Sequence, residues 1–313
     1  MLQNETLTTI KRSASIPSIP MVATRCYELT QDPNCNADDL VKLLSTDPGI
    51  AASILRLANS ALFGVTREVG TLQQAIALLG MRRIRELVLA RYLVHKMEDA
   101  GSDLIELDYY WRRSLLSGIL ATKFASAALL PVRDEAFMGG LLSDVGVIVL
   151  AKSLPDTYAS IAKNYQPHGT EDWLQAEYNL LGVTHGEVSA LVLEQWGLPE
   201  SLVEAVKHHH TSAADMPEDC AGHELARILN AAGAIAKLLC ETTDAEAAIE
   251  TCLQSLQKVE LDPSVLLEAL SDLEQEVNGM AELLGLNILS SKVFSAIGGQ
   301  LAEHLKQIEA PMK

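Results

Sequence analysis

Apolar residues along this chain recur with the 3.6-residue period of α-helices, not with the alternation of half-buried strands. Over residues 49–62, Ile50, Ile54, Leu57 and Leu62 fall roughly on one face. Asp47 before Pro48 supplies an N-cap and a first-turn proline. Thr71 and Gln74 open a short helix with capping-box spacing, and Gly80 ends it. Residues 82–97 follow with Ile84, Leu87, Val88 and Val94 in an amphipathic pattern whose outer face is basic. The spacing then predicts a long helix over 109–130, stopped by Pro131, and a more apolar, buried one over 135–152. Helices over 173–181 and 184–196 come next. The second is opened by Thr184 and Glu187 and closed by Gly197-Leu198-Pro199. Short and long helices are expected over 201–210 and 224–240. Beyond residue 241 the clearest amphipathic stretch is 261–285. It starts at Asp262-Pro263-Ser264 and carries a stripe of Leu266, Leu267, Leu270, Leu273 and Val277.

These patterns predict an all-α, multi-helix bundle. Two breaks, Ala100-Gly101-Ser102-Asp103 and the acidic, proline-containing loop 211–222, suggest an N-terminal helical group over 13–100 and a helical core over 101–240. Helices over 241–313 are expected to pack back on that core, with a homodimer contact as the alternative use of their apolar stripe. Composition fits: 48% of residues are hydrophobic but only 4% aromatic, the bulk being Leu, Ala, Val and Ile. A formal charge of −17 disfavours nucleic-acid backbones and anionic lipid surfaces as partners. Five cysteines without C-x-x-C spacing argue against a disulfide framework or a cysteine zinc site. The opening residues lack the apolar stretch of a signal peptide, and the apolar run 139–151 contains Asp144 and is too short to span a bilayer. A cytoplasmic location is the expectation.

Candidate chemistry lies in the middle of the chain. Asp144 sits inside the apolar string LLSDVGVIVL, where a carboxylate is costly unless paired, hydrogen-bonded or bound to metal. His185 begins a helix about forty residues later, and His208, His209 and His210 end another. Imidazole and carboxylate together form a transition-metal ligand set on a helical scaffold. Two plainer roles stand beside it: the aspartate caps a helix, and the histidines complement a helix C-terminus.

Several strings in order resemble the HDOD family: IPSIPMV (16–22), DPGIAASILRLANSALFG (47–64), TLQQAIALLGMRRIRELVL (71–89), Trp111 and Ser114 in W-x-x-S, GGLLSDVG (139–146), HGEVSALVLEQWGLP (185–199) and AVKHHH (205–210). Asp47, Pro48, Asn59, Ser60, Gly64, Gly80, Trp111, Ser114 and Trp196 are the motif positions. The Asn59-Ser60 pair is the strongest single element, although Asn59 also suits a purely structural bridge between backbone groups.

The resemblance implies a core similar to that of HD phosphohydrolases, which hold one or two metals with histidines and aspartates. This chain departs from their pattern. Arg113 and Ser114 stand around the first histidine position, the doublet reads Ser143-Asp144, and Asn230 takes the final aspartate position. Asp144, His185, His208 and His209 are the vestigial ligands, and an inward Arg113 would repel a metal or pair with Asp144. No G-Y-P follows the histidines, which argues against the cyclic-dinucleotide phosphodiesterase branch.

The resemblance therefore implies a non-catalytic bacterial signalling output or scaffold module, acting on protein or small-ligand partners, with no cofactor expected. The alternatives are a residual phosphohydrolase using one divalent metal, or a nucleotide sensor that binds through Arg112 and Arg113 without hydrolysis. No receiver, kinase or DNA-reading segment is visible in the sequence.

Overall fold

The computed structural model describes residues 2–12, 16–18, 25–26, 29, 35–59, 68–99, 103–130, 133–163, 165, 173–241, 245–286, 299–303 and 305. Every regular element among them is an α-helix, as the apolar period requires. The chain divides into two compact units. One comprises residues 1–17, 100–274 and 289–313, the other 18–99 and 275–288.

The first unit begins with α1 (Leu2–Arg12). The second unit holds α2 (Ala37–Leu44), α3 (Pro48–Ala58), α4 (Leu72–Leu79) and α5 (Met81–Asp99). Its helix starts follow the sequence closely. Asn36 caps α2 reciprocally with Asp39, the Asp47 carboxylate accepts from the Ile50 N–H, and Thr71 accepts from the Gln74 N–H. Gly80 closes α4 at φ +84°, a conformation that disfavours any side chain. Asn59 ends α3 and bridges backbone. Its Nδ2 donates to the carbonyls of Leu55 (2.8 Å) and Val69 (2.9 Å), and its Oδ1 accepts from the Val69 N–H at 2.7 Å. The motif positions Ser60 and Gly64 lie outside the described residues.

The first unit continues with α6 (Leu107–Ala127), α7 (Arg133–Leu142), α8 (Val145–Ser153), α9 (Pro155–Ala162), α10 (Trp173–Leu181), α11 (His185–Gln195), α12 (Glu200–Lys207), α13 (His223–Glu241) and α14 (Ala245–Lys258). Glycines set the closest helix crossings. A Cβ on Gly140 would lie 2.6 Å from the Gly118 backbone, so α6 and α7 touch main chain to main chain. A Cβ on Gly146 would lie 2.2 Å from the His185 carbonyl, which brings the start of α8 against the start of α11. The last long helix, α15 (Pro263–Leu284), has residues up to Glu274 in the first unit and from Gln275 in the second. Within the second unit Arg91 donates to the Leu283 carbonyl at 2.5 Å, and Arg56 pairs with Glu282 at 3.2 Å. Two cations thus meet the C-terminal end of α15, where the helix dipole favours them.

Two expected helices are divided differently. The single helix over 135–152 is two, α7 and α8, broken at Ser143-Asp144. Ser143 Oγ bonds back to the Gly139 carbonyl at 2.6 Å, and the chain turns there. Within the apolar stretch Glu135–Ser153, 89% of its most apolar 18-residue window is buried, as in a core segment. The helix expected over 201–210 stops at Lys207, so the three histidines that follow occupy a turn instead of a helical face. That difference decides which of them reach the site.

Candidate metal centre

Asp144, His185, His209 and His210 bring one ligand atom each into a group whose members all lie within 4.8 Å of one another. Asp144 comes from the break between α7 and α8, His185 from the first turn of α11, and the other two from the turn after α12. Thr184 and Glu187 form the capping box that starts α11 and fixes His185 at its first position. His185 Nε2 lies 3.4 Å from Asp144 Oδ1 and 3.1 Å from His210 Nε2, and His209 Nε2 lies 3.3 Å from the same Asp144 oxygen.

The outer ring nitrogens set the tautomers. Nδ1 of His209 faces the Val206 carbonyl at 2.5 Å, and a carbonyl only accepts, so Nδ1 carries the proton. Nδ1 of His185 faces Glu177 Oε2 at 2.8 Å, and the His185 backbone N–H donates to the same oxygen at 2.7 Å. Glu177 is wholly buried, and its other oxygen accepts from the Tyr158 hydroxyl at 2.6 Å. Trp173 stacks flat on the His185 ring, with centroids 4.0 Å apart and planes 2° apart. Both Nε2 atoms therefore face the Asp144 carboxylate. Lone pairs facing an anion repel unless a cation, a proton or a metal, lies between them.

The electrostatics show the same demand. Burial works against the charged form of His185, but Glu177 and Asp144 outweigh it and lift its pKa to about 9. His210 goes the other way, held well below the ordinary histidine value by burial and by its neighbours His209 and His185. Burial alone would raise the Asp144 carboxyl. Arg113, His185 and His209 reverse this and hold it well below the usual carboxylate range. Arg113 Nη2 lies 3.5 Å from Asp144 Oδ2, which also accepts from the Tyr165 hydroxyl at 3.0 Å. The guanidinium is buried, 5.1 Å from the Tyr165 ring centroid and 5.8 Å from that of Trp173. The sequence's alternative of an inward Arg113 paired with Asp144 is the one realised.

The donor set fits a single transition-metal ion. Bonds of roughly 2.0–2.1 Å to a tetrahedral ion place its ligands about 3.3 Å apart. His185–Asp144, His209–Asp144 and His185–His210 are separated by 3.1 to 3.4 Å, and all the donor atoms lie within 4.8 Å of one another. The second shell fits too, since metal-binding histidines donate their outer N–H to a carboxylate or a backbone carbonyl, as His185 and His209 do here. A second ion is poorly served: within the group Asp144 is the sole carboxylate, and a guanidinium already holds its other oxygen.

Of the four residues expected from the sequence, Asp144, His185 and His209 meet. His208 does not. As the C-cap of α12 it turns away, with Nδ1 3.2 Å from the Thr211 hydroxyl and Nε2 3.5 Å from Glu204. His210 takes its place, because a turn after Lys207 projects the second and third histidines inward. Asp144 stands at the N-cap position of α8 but makes no capping bond, so the plain capping role does not hold. Asn230 sits next to the site in another role, donating from Nδ2 to the His209 carbonyl at 2.9 Å. An ionised aspartate could not donate that bond. Trp111 and Ser114 are buried in α6 outside the ligand group, and the Trp196 indole donates to the Pro17 carbonyl at 2.8 Å. Asp47 accepts from the Tyr92 hydroxyl at 2.6 Å in the second unit. Sequence reading missed Glu177, Tyr158, Tyr165 and Trp173. The only available signal was a glutamate in the apolar string WLQAEYNLL, eight residues before His185.

The HDOD domain model matches residues 16–212, and the chain belongs to the HDOD domain family. An uncharacterised protein of Treponema pallidum (strain Nichols) is 24% identical over 208 residues, 64% of this chain. The chain spans 38% of that relative's length. Among solved structures, a "Putative phosphohydrolase" from Shewanella amazonensis SB2B is similar at TM-score 0.72 and 23% identity, covering 89% of this chain and 97% of its own. A "Putative signal transduction protein" from Marinobacter aquaeolei VT8 is similar at TM-score 0.60 and 20% identity, covering 96% and 66% respectively. At these identities the likeness concerns the fold, and the site has to speak for the chemistry.

Proposed function

We propose that this protein is a signalling module that works by binding and contact, and that its HD-like pocket holds one metal ion without hydrolysing phosphoesters. The observation that carries this reading is the buried Arg113–Asp144 pair. Two-metal phosphoester hydrolysis needs anionic ligands enough for two cations, one to activate water and one to hold the leaving oxygen. Here the one carboxylate of the group is shared between the imidazoles and a fixed guanidinium. When bound, a metal would neutralise the converging lone pairs and tie three segments of the first unit together. Asp144, His185, His209 and His210 would hold it, Glu177 and the Val206 carbonyl would orient two of the rings, and Arg113 would fix the carboxylate. HDOD membership supports the signalling role, with another protein as the partner.

A second reading is a one-metal phosphohydrolase. In it Asp144, His185 and His209 alone would hold the ion and leave a position open for water, and His210, outside the ligand set in that case and held neutral by its surroundings, would be the group available to take a proton.

One preparation of untagged protein separates the two. Metal analysis is expected to give about one ion per chain, and a metal-free protein that takes up none on titration would overturn the metal-holding part of the proposal. A screen of phosphomonoesters, phosphodiesters and cyclic dinucleotides is expected to give no turnover above buffer. Turnover that disappears in Asp144→Asn would overturn the binding-only reading.

A further inference from the structure

On the first unit, α1, α11 and α12 enclose a groove of about 570 Å³, open along one side. Its floor is apolar, formed by Leu7, Ala190, Leu191, Leu198 and Val203. Its rim is mainly acidic. Glu187 and Glu204 are engaged locally, with Thr184 and Gln3 in one case and with Lys207 and His208 in the other. Glu194 and Glu200 are exposed and have no ion-pair partner among the described residues. Lys11 and Lys207 are the rim's cations, and Lys207 already faces Glu204 at 3.3 Å. The groove wall is itself anchored, since Thr6 Oγ1 donates to the Leu181 carbonyl at 2.8 Å and holds α1 in place.

We propose that this groove is a docking site for an amphipathic helix of a partner protein, with an apolar stripe on one face and lysine or arginine beside it. An open, helix-walled channel with an apolar floor suits anchors at i, i+3, i+4 and i+7, and the unmatched acids at its edge select for basic flanks. A second copy of this chain suits it less, because each copy carries a formal charge of −17.

The groove and the metal centre share two helices. His185 opens α11, and Lys207 ends α12 immediately before His208. At Gly186 the two helix ends meet closely, a Cβ there lying 3.0 Å from the Lys207 carbonyl and 3.5 Å from the His209 ring. A helix seated between α11 and α12 therefore bears on the segments that carry three of the four metal donors. This inference names the partner surface of the contact-based reading above and rests on it.

The probe is a fluorescent 18-residue helical peptide with leucines at i, i+4, i+7 and i+11 and lysines elsewhere, titrated in about 0.15 M salt to screen long-range attraction. The control is the same composition scrambled to remove the stripe. The full chain is expected to bind the striped peptide at least tenfold more tightly than the scrambled one. Glu194→Lys with Glu200→Lys, both at exposed positions, is expected to weaken it at least tenfold. Leu191→Asp is expected to abolish it, with circular dichroism confirming the fold. Equal binding of both peptides, or binding indifferent to the charge reversal, overturns the proposal. So does a dimer in sedimentation that the charge-reversed chain no longer forms, which would make a second copy the occupant. Phosphoester turnover by the wild-type chain would sink the binding-only reading and leave the peptide result standing, so the two failures are distinguishable.

Discussion

The two units handle buried polarity in opposite ways. In the second unit, the described polar motif side chains Asp47 and Asn59 serve backbone and hydroxyl groups. Asp47 caps α3 and accepts from Tyr92, and Asn59 joins Leu55 to Val69. Donors and acceptors are matched, and the result is a closed corner. In the first unit, polar side chains from distant parts of the chain face one another, and several acceptors converge on one point. Arg113 and Tyr165 meet one oxygen of Asp144, but the other faces the Nε2 atoms of both His185 and His209, where an added proton or a metal ion has to complete the match. Matched polarity builds structure; converging, mismatched polarity marks a place that takes up a cation.

The largest break of this contrast is Arg113→Met. It strands the buried Asp144 carboxylate and is expected to lower unfolding stability by about 3–5 kcal/mol in urea titrations, whereas adding Asp144→Leu should recover much of the loss. A small effect of the single change would mean that Arg113 does not balance the carboxylate.

Next comes pH. His185 has its folded pKa raised from 6.5 to about 9, so its contribution is fully present below pH 6.5 and is lost as pH rises through 9. The shift corresponds to something on the order of 3 kcal/mol in metal-free protein. Asp144 is shifted down, so its contribution is present above its ordinary pKa of 3.8 and is lost on acidification below it. Denaturation midpoints of chelator-treated protein between pH 6 and 9.5 check the first limb, and His185→Gln should flatten it.

Glu177→Gln is smaller and more selective. Replacing the carboxylate behind His185 is expected to weaken metal binding about ten- to hundredfold in chelator competition. A purely structural glutamate would change stability and leave metal affinity alone.

Asn59→Ala sharpens the other half. Losing its backbone bridge is expected to cost about 1 kcal/mol and to leave metal affinity unchanged.

Legibility in the sequence follows the same division. The helix starts at Pro48, Leu72 and His185 were readable because caps and boxes act within three or four residues. The all-α class was readable because a 3.6-residue period repeats in nearly every segment. Asp144, His185 and His209 were readable as candidates because a carboxylate in an apolar string and clustered imidazoles are rare and costly. The choice of His210 over His208 was not, since it turns on where α12 ends and on the turn beyond it, whose His209 carbonyl accepts from Asn230, a residue of another helix. Glu177 was hidden for a related reason. Its partners are Tyr158 and His185, nineteen and eight residues away, and no local pattern links them.

The sequence by itself determined the all-α class, several helix starts with their caps and the family, because those rest on short-range hydrogen bonds, on the spacing of apolar residues and on the motif strings. Tertiary structure decided which imidazoles meet the carboxylate and which cation balances it. Those outcomes depend on backbone approaches such as Gly146 against His185 and on charges brought together from segments far apart in the chain.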